Sequence, residues 1–259
     1  MMNRINQLFQ QKPNNILSIY FTAGYPQLDQ VTDIIKTLSD TGVDMIEIGM
    51  PFSDPLADGL TIQESSTIAL KNGMSVSVLF ELLKHIRSFT QKPLILMGYL
   101  NPILQYGINE FCIKARECGI DGLIIPDLPI REYKEDYKDI LARYDLKLIF
   151  LITPQTDEKR IRLIDQESDS FIYLVTHSAV TGSSTDFNES RLEYLNKIKG
   201  LELNNPVLAG FGISNKEDFD IVNQYVNGAI IGSSFIRAIK EGVISLEDSI
   251  KNFVKSIKQ

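Results

Sequence analysis

The sequence predicts an α/β fold: a (β/α)8 TIM barrel forming a single domain over residues 1–259, with an extra N-terminal helix and an extra helix in the second β/α unit. Three observations carry this expectation. Short apolar, β-branched runs alternate with amphipathic helical patterns along the whole chain, eight such runs can be counted, and glycine-rich turns follow the last of them. An open doubly wound sheet alternates in the same way, but eight strand–helix pairs in succession favour closure.

The elements follow in order. A polar, helical stretch near residues 3–11 precedes the first strand, ILSIYFT at 16–22. The next strands are VDMIEIG (43–49), PLILMGY (93–99), DGLIIPD (121–127), LKLIFLI (146–152), SFIYLVT (170–176), PVLAGFG (206–212) and GAIIGSS (228–234). Most are continuously apolar, as parallel strands covered on both faces must be. Leu28, Val31, Ile35 and Leu38, or Ile161 and Ile164 after Asp157-Glu158, have the spacing of crossover helices. The stretch from Pro51 to Pro93 exceeds one crossover, and Lys71-Asn72-Gly73 divides it into helices over 59–71 and 75–90. Ser214 with Glu217 and Ser245 with Asp248 have capping-box spacing, the latter opening a final helix near 245–257. No Pro/Gly/Ser-rich linker interrupts the pattern.

Composition narrows the function classes. A net charge of −7 argues against nucleic-acid binding, which rests on basic patches that displace counterions. The polar start MMNRINQLFQQKPNN lacks a signal-peptide core and no apolar run is long enough to span a bilayer, so no membrane association and a cytoplasmic location are expected. Cys112 and Cys118 sit six apart on one helix, unsuited to a disulfide or a zinc pair, and His85 and His177 lie far from any cysteine. No metal is expected.

Barrel enzymes place reacting groups at the carboxyl ends of strands. In the second strand Glu47 shares a face with Val43 and Met45, so an acid ends up among apolar neighbours. Burial there raises a carboxyl pKa and suits a general acid and base; a structural carboxylate holding a loop amide is the alternative. The following loop, Pro51-Phe52-Ser53-Asp54-Pro55-Leu56-Ala57-Asp58-Gly59, is acidic and carries two prolines. Asp54 and Asp58 would also serve as turn or cap residues there.

The segment EIGMPFSDPLADG at 47–59 resembles the signature of the tryptophan synthase alpha chain family. Thr22-Ala23-Gly24-Tyr25-Pro26, Met97-Gly98-Tyr99-Leu100-Asn101-Pro102, Pro126-Asp127-Leu128-Pro129, Val180-Thr181-Gly182 and Gly210-Phe211-Gly212-Ile213 extend the resemblance over nearly the whole chain. It implies a lyase that splits indole-3-glycerol phosphate into indole and glyceraldehyde 3-phosphate by a retro-aldol reaction. No cofactor is implied in this chain; pyridoxal phosphate (PLP) is expected in a beta-subunit partner that consumes the indole, in an alpha2beta2 heterotetramer.

Carried over by position, the resemblance implies that Glu47 transfers protons and Asp58 pairs with the indole N–H. Tyr173 is implied beside Glu47, with Tyr20, Tyr99 and Phe211 as walls for the flat ring. Phosphate is expected on backbone amides, rather than on basic side chains, at Gly212, Gly232 and Ser233, with Gly182 added by the family pattern. The small, polar segment 178–186 is expected to act as a lid bringing Thr181 toward Asp58, and Asp54 and Pro55 to meet the partner. One departure stands out. Family members commonly read Ser-Arg-x-Gly-Val-Thr-Gly where this chain has Thr176-His177-Ser178-Ala179-Val180-Thr181-Gly182, which bears on how that lid is anchored.

Two rivals remain. A decarboxylating ring-closing barrel would need a lysine at a strand end, whereas Lys147 begins its strand; a silent activator of the partner would have no use for both Glu47 and Asp58.

Overall fold

Eight short, mostly apolar stretches form the frame of the computed structural model, which describes residues 2–55, 58–176, 189–210, 212–240 and 244–259. They are β1 Ile16–Thr22, β2 Met45–Gly49, β3 Leu94–Met97, β4 Gly122–Ile124, β5 Lys147–Ile152, β6 Ile172–Val175, β7 Val207–Gly210 and β8 Gly228–Ile231. Each strand pairs in parallel with the next, and β8 returns to β1, where Ile16 faces Gly228 and Ser18 faces Ile230. Closure excludes the open-sheet alternative. It also removes both sheet edges, so every strand is hydrogen-bonded on two sides and covered on two faces. Most strands are shorter than expected, because flanking residues such as Pro93, Tyr99, Asp121 and Asp127 serve the turns instead.

Around the strands run α2 Val31–Ser39, α3 Leu60–Lys71, α4 Val76–Leu83, α5 Leu100–Tyr106, α6 Ile108–Glu117, α7 Ile130–Glu132, α8 Lys138–Arg143, α9 Glu158–Glu167, α10 Glu189–Gly200, α11 Lys216–Val222, α12 Ser233–Ala238 and α13 Leu246–Lys258, after an opening helix α1 Arg4–Gln11. The apolar faces follow helical periodicity: α2 buries Val31, Ile34, Ile35 and Leu38, and α13 buries Ile250, Val254 and Ile257. Among the described residues no helix is long and apolar enough to cross a membrane.

The extra helix expected in the second unit is present, but α4 stops at Leu83 rather than running to 90. A 3-10 turn at Ile86–Ser88 replaces the last part, and Arg87 leaves the helical path to bond Asp121 at 2.6 Å. The third unit is also divided, at Gly107 between α5 and α6. A π-turn, Tyr133–Tyr137, joins α7 to α8. Ser245 caps α13 as expected, accepting from the Asp248 N–H. At α11 the cap is Asn215, not Ser214; Ser214 donates its N–H and hydroxyl to Asp218 instead.

The amino end of the barrel is closed by α1. Asn3 caps that helix and donates Nδ2 to the carbonyls of Asp121 and Asp145, each at 2.9 Å. Asp121, 3% exposed, bonds Arg4 and Arg87 and accepts from the Leu94 N–H. Cys112 and Cys118 are buried free thiols, both pushed up to about 11 by burial.

Candidate functional site

The carboxyl end of the barrel gathers the chemistry. Glu47 is the third residue of β2, in register with Tyr20 of β1 and Ile95 of β3. In-register parallel neighbours point the same way, and so do residues two apart on one strand. Ser18 and Tyr20 therefore face Glu47 from β1, and the Ser18 hydroxyl donates to Glu47 Oε1 at 2.8 Å. Glu47 is 0% exposed, and its Oε2 has no hydrogen-bond partner among the described residues.

Burial pushes the Glu47 carboxyl up to about 8, with the Ser18 bond pulling the other way. The group is thus chiefly protonated at neutral pH. A structural carboxylate bound to a loop amide, the alternative left open by the sequence, is not what the geometry presents.

Two tyrosines stand over it. Tyr20 from β1 and Tyr173 from β6 are almost fully buried, and both hydroxyls are raised, first by desolvation and then by the charges of Glu47 and Asp58. They stay neutral donors. Each ring leans across a glycine of the adjacent strand: a Cβ at Gly49 would overlap the Tyr20 hydroxyl, and one at Gly210 the Tyr173 hydroxyl.

Asp58 occupies a different setting. It lies in the turn before α3, half-buried, and accepts from the Tyr99 hydroxyl at 3.1 Å. Gln63 holds its backbone carbonyl at 2.8 Å. Burial raises the Asp58 carboxyl from the ordinary range, opposed by the Tyr99 bond. The Tyr99 ring packs on Phe52, centroids 5.1 Å apart, so this residue positions Asp58; it is not among the residues lining the cavity.

One cavity is lined by Asp58, Tyr20 and Tyr173 together with Gly212, Gly232 and Ser233. Glu47 is not itself among the lining residues; Tyr20, its in-register neighbour on β1, is. Gly212 has φ +69°, a conformation glycine adopts without penalty, and a Cβ there would come within 3.0 Å of the Arg191 guanidinium. Asp54 is exposed on the turn after β2, accepting from the Ser53 hydroxyl, with Pro55 beside it. Thr181, Gly182 and Phe211, with His177 and Ala179, lie outside the described residues.

Several site residues escaped the sequence reading. Ser18 had a signal, as a hydroxyl in an apolar strand two positions from Tyr20. Arg191 had none: an ordinary helix arginine by spacing, it is 5% exposed behind the Gly212 turn and donates to Thr176 Oγ1 at 3.1 Å. Its pKa is lowered by burial, with Asp218 acting in the opposite sense. Arg237 also lines the cavity, a cation where the sequence points to backbone amides for phosphate.

Comparison with known proteins places the whole chain in one family. The family model described as tryptophan synthase alpha chain matches residues 6–259. The tryptophan synthase alpha chain of Flavobacterium psychrophilum is 57% identical over 99% of this chain and 100% of its own length. That of Bacteroides thetaiotaomicron is 52% identical over 96% of this chain and 100% of its own. Among solved structures, the tryptophan synthase alpha chain of Legionella pneumophila superposes with a TM-score of 0.86 at 28% identity, covering 100% of this chain and 97% of that one. A chain of the tryptophan synthase complex from Pyrococcus furiosus gives a TM-score of 0.85 at 33% identity, covering 95% and 98%. A buried acid within β2, a second acid on the turn after it and a full-length match to one family lead to a single assignment: the chain belongs to the tryptophan synthase alpha chain family.

Proposed function

We propose that this chain cleaves indole-3-glycerol phosphate to indole and glyceraldehyde 3-phosphate, with Glu47 moving protons and Asp58 holding charge. The observation that carries the reading is the contrast between the two carboxyls: one fully buried and protonated at neutral pH, the other half-buried and held by a tyrosine hydroxyl in the cavity wall.

Indole is a poor leaving group until its C3 is protonated to the indolenine tautomer. Glu47 delivers that proton, and Oε2 is the atom suited to it, because Oε1 already accepts from Ser18. As C3 gains the proton, positive charge develops on the ring nitrogen, and ionised Asp58 accepts the indole N–H and stabilises it. The bond between C3 and the glycerol carbon then breaks, its electrons return to the ring, and the glycerol hydroxyl gives its proton to the Glu47 carboxylate. Glyceraldehyde 3-phosphate forms with no redox change, and the protonated ring is itself the electron sink, so the step as written calls on no cofactor in this chain. Tyr20 and Tyr173 pack against the ring and keep water from Glu47. Gly212, Gly232 and Ser233 take the phosphate through backbone N–H groups and a hydroxyl.

The solved Pyrococcus furiosus relative belongs to a tryptophan synthase complex. By the same kinship this chain joins a beta subunit, which holds PLP and consumes the indole, through the exposed turn carrying Asp54 and Pro55. Indole is apolar and crosses membranes, so transfer between subunits prevents its loss. A cytoplasmic location suits that pathway step.

The test is direct. Purified protein mixed with indole-3-glycerol phosphate releases indole, and Glu47→Gln releases none while still binding substrate. Undiminished turnover by the variant refutes the assignment; absence of cleavage by the native chain, alone or with its beta partner, favours a silent activator.

A further inference from the structure

We infer that Arg237 is a further specificity-determining residue, a side-chain cation that binds the substrate's phosphate and links it to the segment carrying Asp58. The inference rests on the proposed lyase reading and deepens its phosphate subsite.

Charge makes the case first. The protein carries a net −7, and the described residues lining the cavity include two charged side chains, Asp58 and Arg237. A phosphate dianion approaching an acidic protein past a carboxylate meets repulsion, and backbone amides supply dipoles but no net charge. Arg237 is the one cation among those lining residues. It forms no ion pair among the described residues.

Geometry makes it second. Arg237 Nη2 donates to Ser234 Oγ at 3.2 Å, and that hydroxyl donates to the Ile213 carbonyl at 3.3 Å. Arg237 Nη1 donates to Thr61 Oγ1 at 3.4 Å. One guanidinium therefore joins the first turn of α12 to the first turn of α3, where Thr61 lies three residues beyond Asp58, and Ser234 extends the link to the turn after β7. Both guanidinium bonds are long and go to neutral hydroxyls, so a phosphate oxygen, which forms shorter charge-assisted bonds with guanidinium, displaces them readily. The planar fork stays aimed by Ser234 and Thr61 until the anion arrives.

The experiment measures inorganic phosphate binding by titration calorimetry, and steady-state kinetics with indole-3-glycerol phosphate, for the native protein, Arg237→Gln and Arg237→Lys. Arg237→Gln is expected to weaken phosphate about tenfold and raise KM by a similar factor, with kcat within about twofold. Arg237→Lys, which keeps the charge, is expected to recover most of both. Thr61→Val should cost less, about two- to threefold, by releasing one anchor of the guanidinium. Inorganic phosphate affinity unchanged in Arg237→Gln overturns the inference, as does a native protein that binds no phosphate. A fall in kcat with phosphate affinity intact also overturns it, since that is the mark of a structural role. If the native chain binds phosphate through Arg237 but releases no indole, the lyase reading fails and the anion site stands.

Discussion

Replacing Glu47 by glutamine should abolish indole release and make the protein more stable at neutral pH. The structure sets the size of the second effect. In the unfolded chain the carboxyl titrates near its ordinary 4.5, whereas in the barrel burial lifts it to about 8. Below 4.5 both states are protonated, and this residue's contribution to stability is fully present. Between those values the unfolded chain releases its proton while the native one keeps it, so each pH unit favours unfolding by about 1.4 kcal/mol. By pH 7 the loss is roughly 3 kcal/mol, and it levels off once the native carboxyl also ionises. Glutamine keeps the shape and the acceptor for Ser18 but does not titrate. Urea unfolding of both proteins from pH 4.5 to 8 should show a gap that opens with pH in favour of the variant. Indole release should fall at least a hundredfold, within the range of about 10²–10⁴ that a general acid–base group supplies. A variant less stable than the native protein at pH 7, or a gap that does not change with pH, would show that Glu47 is ionised in the fold and would refute its assignment as the proton donor.

Other perturbations probe neighbouring features. Asp58→Asn should lower kcat by about 10²–10³, the loss typical of removing one transition-state charge partner. Because Asp58 must be ionised and its pKa is raised, native turnover should decline with acid at a pH above the usual aspartate range, and Tyr99→Phe should move that decline further up. Kinetics across pH 4–8 read both. Gly49→Ala sets a methyl against the Tyr20 hydroxyl; displacing the ring should cost about 1–3 kcal/mol and raise KM, measured by denaturation and kinetics together. Asp121→Ala leaves Arg4 and Arg87 without their carboxylate at the opposite end of the barrel. It should destabilise the protein by about 3–5 kcal/mol while kcat per folded molecule is unchanged.

The barrel was legible because its signal is local. A strand covered on both faces must be apolar throughout, and a crossover helix must repeat its apolar residues every three or four positions, so Ile16–Thr22 or α2 announce themselves. What local pattern misses is competition from distant groups. The stretch 75–90 has helical spacing, yet Arg87 answers to Asp121, Gly119 and Lys92, and those bonds end the helix early. Ser214 and Asn215 are both good caps, and only the position of Asp218 decides that asparagine takes the N–H while serine binds the carboxylate. The candidate site divides in the same manner. Glu47 is conspicuous as an acid in an apolar strand, but its bond to Ser18 depends on barrel register. Tyr99 was expected as a wall, and its hydroxyl instead meets Asp58 from 41 residues away. Arg237 reaches Thr61 across 176 residues, a separation no motif spans.

The division of labour proposed for the two acids follows from where each sits relative to the sheet. Glu47 is on a strand, so its surroundings are dictated by the neighbouring strands: Ser18 and Tyr20 of β1 beside it, and Tyr173 of β6 contributing a second aromatic roof. Strand residues cannot move out to water without breaking the ladder, and a carboxyl held there stays neutral at a free-energy cost the rest of the barrel must offset. Asp58 is on a turn, where partial exposure and one tyrosine bond leave ionisation within reach. Exchanging the two positions would give a proton donor open to solvent and a counter-ion too buried to carry charge. The retro-aldol step needs the reverse of both, which is why the strand-borne acid is assigned the proton and the turn-borne acid the charge.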